Sequence, residues 1–94
     1  MSPNIEYPPN IEYPRLRGRI YERYQTQTDL ANEIGVDRQW IGMRLAGRVR
    51  FSKDDVAVLR KVLEINPDKI DYYFANREQV LREEQEEIEK WERR

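Results

Sequence analysis

The chain has 94 residues, 38% apolar and 37% charged, with a net charge of −1 at pH 7, the size of one small domain plus an appendage. It contains neither cysteine nor histidine. That composition excludes disulfides, thiolate or imidazole metal sites, cysteine nucleophiles and histidine acid–base catalysis. No apolar run approaches ~18 residues and the N-terminus is neither basic nor hydrophobic, so the expectation is a soluble, cytoplasmic protein without a membrane span or signal peptide.

Charge and hydropathy both single out the middle of the chain. Residues 16–74 hold 26 of the 36 apolar positions, which permits one central core. Residues 15–61 carry 11 basic and 6 acidic groups, a local charge of +5, while the flanks are acidic. Such asymmetry points to one anion-facing segment.

The chain opens on a tandem hexapeptide, Pro3-Asn4-Ile5-Glu6-Tyr7-Pro8 followed by Pro9-Asn10-Ile11-Glu12-Tyr13-Pro14. Its prolines fix φ and remove backbone donors, so residues 1–14 read as an extended arm. The arm is either disordered or strand-like and paired with another subunit; its acidity argues against wrapping DNA.

From Leu16 the period becomes helical, with Ile20 and Tyr24 on the same face of a first helix. Thr26-x-x-Asp29 is a capping-box pattern opening a second helix, whose Leu30, Ala31 and Ile34 share a side and which stops at Gly35. Asp37 caps a third helix with Ile41 and Leu45 as its inner stripe, ending at Gly47. Ser52-x-x-Asp55 opens a fourth, with Phe51 placed to staple onto Val56 and with Val56, Leu59 and Leu63 as the buried face. Asn66 and Pro67 begin a short fifth helix ending in Tyr72-Tyr73-Phe74, with Ile65 and Ile70 as a second staple. Residues 76–94 are rich in Glu and Arg and read as a charged helical tail, either solvated or a dimer contact. The fold class is all-α, with an arm (1–14), a five-helix domain (15–75) and the tail (76–94).

The informative stretch runs from Gln27 to Ala46. A helix-turn-helix needs a small residue where its helices cross, a turn residue of positive φ and apolar residues pointing inward. Ala31 supplies the first, Gly35 the second, and Leu30, Ile34, Val36, Ile41 and Leu45 the third. An ordinary α-hairpin can carry part of this pattern.

Several short runs carry a family resemblance: Leu16-Arg17-Gly18-Arg19-Ile20, Thr28-Asp29-Leu30-Ala31, Ile34-Gly35-Val36-Asp37, Leu45-Ala46-Gly47-Arg48, Phe51-Ser52 and Ile70-Asp71-Tyr72-Tyr73-Phe74. Through them residues 16–74 resemble the lambda-repressor-like helix-turn-helix domains of temperate phages, in particular small phage proteins described as Cro repressors. The resemblance implies a five-helix domain whose third helix enters the major groove of double-stranded DNA, as a homodimer on a palindromic operator. Neither the repeat nor the acidic tail belongs to that pattern.

With Ile41 and Leu45 inward, Arg38, Gln39, Gly42 and Met43 are left for base edges. Arg38 suits guanine, Gln39 adenine and Met43 a thymine methyl. Gly42 either lets the helix approach the bases closely or makes room for a crossing helix. Trp40 is expected to pack against a neighbouring helix. The expected phosphate contacts are Gln27 and Thr28 at the start of the second helix, Arg44, and Arg48, Arg50 and Lys53 beyond the third. Arg15, Arg17 and Arg19 are equally open to phosphate or to solvent. Asp37 departs from the usual Ser or Thr of the family, and its charge would repel a nearby phosphate. No cofactor, metal, small-molecule ligand or catalytic residue is expected. The competing reading is a protein-interaction module, an antirepressor or antitoxin-like protein, that keeps the same fold.

Overall fold

The computed structural model describes residues 12–92, so the first hexapeptide, half of the second and with them most of the expected arm, and the last two arginines lie outside the described residues. The described residues are all helical, without a strand: α1 (Pro14–Arg23), α2 (Gln27–Ile34), α3 (Arg38–Leu45), α4 (Lys53–Val62), a 3-10 turn (Pro67–Lys69), α5 (Ile70–Tyr73) and α6 (Arg77–Glu92). No helix among them is long and apolar enough to cross a membrane.

Helix α1 begins two residues before the Leu16 periodicity, because Pro14 takes a first-turn position. Its missing N–H would be an orphan there anyway and its fixed φ suits a helix. At α2 only the hydroxyl half of the expected box forms, Thr26 Oγ1 accepting the Asp29 N–H at 3.1 Å. The Ser52–Asp55 box before α4 is complete in both directions. Gly35 closes α2 at φ +87°, left-handed backbone that suits glycine. Asp37 then caps α3 by accepting the Trp40 N–H at 2.8 Å. Three residues thus turn α2 into α3.

The core joins Leu16 and Ile20 of α1, Leu30 and Ala31 of α2, Ile41 and Leu45 of α3, and Leu59, Leu63 and Ile65 of α4 and its exit. Each large side chain so buried is worth roughly 1.5–3 kcal/mol relative to exposure. Of the face expected for α4, Leu59 and Leu63 are buried and Val56 is half-buried. The ring of Phe51, expected to staple onto Val56, meets Tyr13 edge-on at 5.1 Å and Phe74 at 5.3 Å, tying the α1 entrance to the end of α5.

Arginines fasten the outside of this core. Arg19 donates from Nε to the Leu63 carbonyl (2.9 Å) and from Nη2 to the Glu64 carbonyl (3.2 Å), occupying acceptors at the C-terminal end of α4. Glu64 adopts φ +53° there, and the Ile65 N–H reaches back to the Arg60 carbonyl at 2.9 Å. This is a glycine-type helix ending made by glutamate, and Arg23 pairs with the Glu64 carboxylate. Arg15 lies 4.0 Å over the Tyr72 ring and binds Glu83 at 2.8 Å, linking α1 to α5 and α6. Helix α6 starts from a reciprocal Asn76–Gln79 cap (2.9 Å in each direction) and buries Val80 completely.

Candidate nucleic-acid interface

Helix α3 has eight residues, and its two fully buried ones, Ile41 and Leu45, face the core four residues apart. That phase turns the opposite face outward. Arg38 and Gln39 are exposed, and Gly42 and Met43 are half-exposed beside them. Together with Gln27 from the start of α2, and Ala46 and Arg48 from the exit of α3, they line an open groove of about 560 Å³. Six residues singled out from the sequence (Gln27, Arg38, Gln39, Gly42, Met43 and Arg48) therefore share one surface. Ala46 had been overlooked, although it stands four residues after Gly42 on the same helical row.

A second groove of about 540 Å³ adjoins the first, sharing Gln27 and Arg38 with it. Its other walls are Tyr21, Gln25, Thr26 and Thr28, so Thr28 stands at the edge of the surface. Tyr21 and Gln25 carried no sequence signal for this position. Tyr21 is 53% exposed at the end of α1, which only the packing of α1 against α2 brings beside Arg38.

Gly42 has open space around it: a Cβ built there meets nothing within 4 Å beyond its own helix. No neighbouring helix crosses at this point. Of the two readings open for Gly42, the packing one loses its physical basis.

Arg44 stands apart from the groove. Its guanidinium stacks 3.8 Å from the Trp40 ring centroid, donates to the Asp55 carboxylate at 3.0 Å and to the Trp40 carbonyl at 3.2 Å. Both partners of the ion pair are largely shielded, with side chains 16% and 15% exposed. Burial pushes the Asp55 carboxyl up, but hydrogen bonds from Ser52 and Arg44, together with the Arg44 charge, outweigh it and hold the group below its ordinary value. Arg44 thus clamps α3 to α4, and a phosphate would have to compete with a carboxylate already in place. Arg50 and Lys53 are exposed but line neither groove.

Four arginines of α1 are engaged in the same way, whereas Arg50 and Arg60 hold no side-chain hydrogen bond or ion pair among the described residues. Arg15, Arg19 and Arg23 hold intramolecular ion pairs, and Arg17 reaches the Leu45 carbonyl at 3.5 Å. Arg38 and Arg48, the two cations on the groove, form no hydrogen bond or ion pair among the described residues.

Residues 10–77 match the family described as Protein of unknown function (DUF739), well over half of the chain. The chain belongs to the DUF739 family. The DUF739 match covers α1 to α5, both grooves and the Arg44 clamp, and it ends at the first residue of α6. A comparison with curated proteins gave no match.

Proposed function

We propose that this DUF739 member is a sequence-specific DNA-binding regulator with a lambda-repressor-like helix-turn-helix fold. It lays α3 in the major groove and acts as a homodimer on a palindromic operator, in the manner of a phage or prophage Cro-type repressor. One observation carries the reading. The outward face of α3 brings Arg38, Gln39, Gly42 and Met43 into a single open groove, flanked by a second unpaired arginine, Arg48. Arg15, Arg19, Arg23 and Arg44 are bound to carboxylates or carbonyls, whereas Arg38 and Arg48 are left available beside Gln39 and Met43 in one groove.

Each groove residue then has a chemical role. Arg38 is suited to guanine O6 and N7 and Gln39 to adenine N6 and N7, each bidentate pair being worth about 1–3 kcal/mol of discrimination. Met43 offers an adaptable apolar contact to a thymine methyl. Gly42, without a side chain in an uncrowded position, allows the helix axis to approach the base edges. Gln27 and Thr28 present the N-terminal end of α2 to phosphate. Arg48, with Arg50 and Lys53 beyond it, supplies phosphate charge; Arg44 is reassigned from that role to the clamp on α4. Two copies are required because a domain of this size on one half-site binds weakly.

The test is binding to duplexes selected from a random pool, measured against salt. Three phosphate-directed cations per protomer (Arg48, Arg50 and Lys53) give six in a dimer. At ~0.9 counterion per phosphate the log–log slope is then about −5. A slope near zero contradicts the proposal, and retained capture of a protein partner under those conditions would favour an interaction module.

A further inference from the structure

Glu12 belongs to the second copy of the hexapeptide, and its position is fixed by the residue after it. The Tyr13 carbonyl accepts the Arg17 N–H at 2.9 Å, and the Tyr13 ring packs on Phe51. Glu12 is thereby laid against the turn that ends α3. Gly47, at φ +79°, is the turn's central residue, and a Cβ there would meet Glu12 Cγ at 3.2 Å and Cδ at 3.8 Å. The residues on either side of Gly47, Ala46 and Arg48, line the groove. A carboxylate consequently stands on the rim of the basic surface, one residue from its unpaired Arg48. Among the described residues neither Glu12 nor Arg48 has an ion-pair partner.

We infer that Glu12 is an electrostatic brake on nucleic-acid binding, an arm residue whose carboxylate repels the phosphate that Arg48 attracts. The inference rests on the DNA-binding reading above. Its physical logic concerns overall affinity. Repulsion of a phosphate weakens every sequence alike, so it suppresses backbone-driven, sequence-independent affinity and leaves discrimination to Arg38, Gln39 and Met43. The aliphatic stem of Glu12 is what packs over Gly47; the charge adds nothing to that contact. Glutamine at this position keeps the stem and removes the brake.

The experiment uses the full chain and two probes, a duplex selected from a random pool and a random-sequence duplex of equal length. A unit charge about 6 Å from a phosphate in water changes affinity about threefold, hence about tenfold for two protomers. E12Q is expected to bind both probes about tenfold tighter at low salt, E12K tighter still, with thermal stability unchanged. The gain should shrink as salt shortens the Debye length from about 10 Å at 0.1 M toward about 3 Å at 1 M. E86Q, on exposed α6, makes the same change in net charge and is expected to leave affinity unaltered. If E12Q and E86Q both bind like the parent, the brake is refuted while the DNA reading stands. A gain confined to the selected duplex also refutes it, because phosphate repulsion cannot read sequence. If no variant binds either duplex in a salt-dependent way, the DNA reading falls and the brake with it.

Discussion

Replacing Arg44 with alanine leaves the Asp55 carboxylate shielded and without its cation, and removes the guanidinium stacked 3.8 Å over Trp40. Removing one partner of a fully buried ion pair costs about 3–5 kcal/mol. Here both side chains keep some access to water, 16% and 15%, and Asp55 retains its bonds to Ser52, so the loss should fall to about 2–3 kcal/mol. For a domain of this size that is a drop in Tm of roughly 10–20 °C. Urea unfolding followed by far-ultraviolet circular dichroism gives the free energy directly. Asp55→Ala alone and the double variant Arg44→Ala/Asp55→Ala complete a cycle, in which the double change should cost clearly less than the two single changes together. Arg44→Lys should recover less than half the loss, since an ammonium supplies the charge but neither the planar stack nor the fork. Where the protein remains folded, the salt slope of DNA binding should be that of the parent. A variant that unfolds like the parent while its slope becomes shallower by about 2 would refute the clamp and return Arg44 to the phosphate contacts.

Three further outcomes follow from the same geometry. Asp55 has a lowered folded pKa, so its contribution is present above its ordinary unfolded value and fades as pH falls through the folded one; Asp55→Asn should flatten the acid limb of a stability–pH curve below about pH 4, and an unchanged limb would deny the shift. Gly42→Ala should stabilise the fold by ~0.5–1 kcal/mol, because the site is helical and nothing lies within 4 Å of the new methyl, yet weaken DNA binding if α3 sits close to the bases. Gly35→Ala should do the reverse, destabilising by about 1 kcal/mol or more through its φ of +87° despite equally open space; melting curves of the pair decide both.

The corner between α2 and α3 was legible in the sequence because local chemistry dictates it. Thr26, Gly35, Asp37 and the Ser52–Asp55 box each act on backbone within three or four residues, and the phase of Ile41 and Leu45 assigns the outer face without further information. The destinations of the arginines were illegible for the converse reason. Arg19 finds carbonyls 44 and 45 residues away and Arg15 a carboxylate 68 residues away, pairings that only the packed helices create. Arg44 reaches Asp55 across 11 residues, between two different helices, so helical spacing gave no hint that its charge was already engaged. The left-handed Glu64 escaped notice because nothing in its residue type announces that conformation. The Asn76–Gln79 cap was not read from the sequence either, although its three-residue spacing is a short-range signal, and it places the start of α6 where the apolar domain ends.

The claim that α3 reads DNA is tested most directly by repeating the selection from random duplexes with Gln39→Ala and Arg48→Ala. Gln39→Ala should relax preference at one base pair in each half-site and leave the other positions as they were. Arg48→Ala should weaken all sequences about equally and make the salt slope shallower by about 2. If the two substitutions behave alike, or if neither alters the selected sequence or its affinity, α3 is not the reading element.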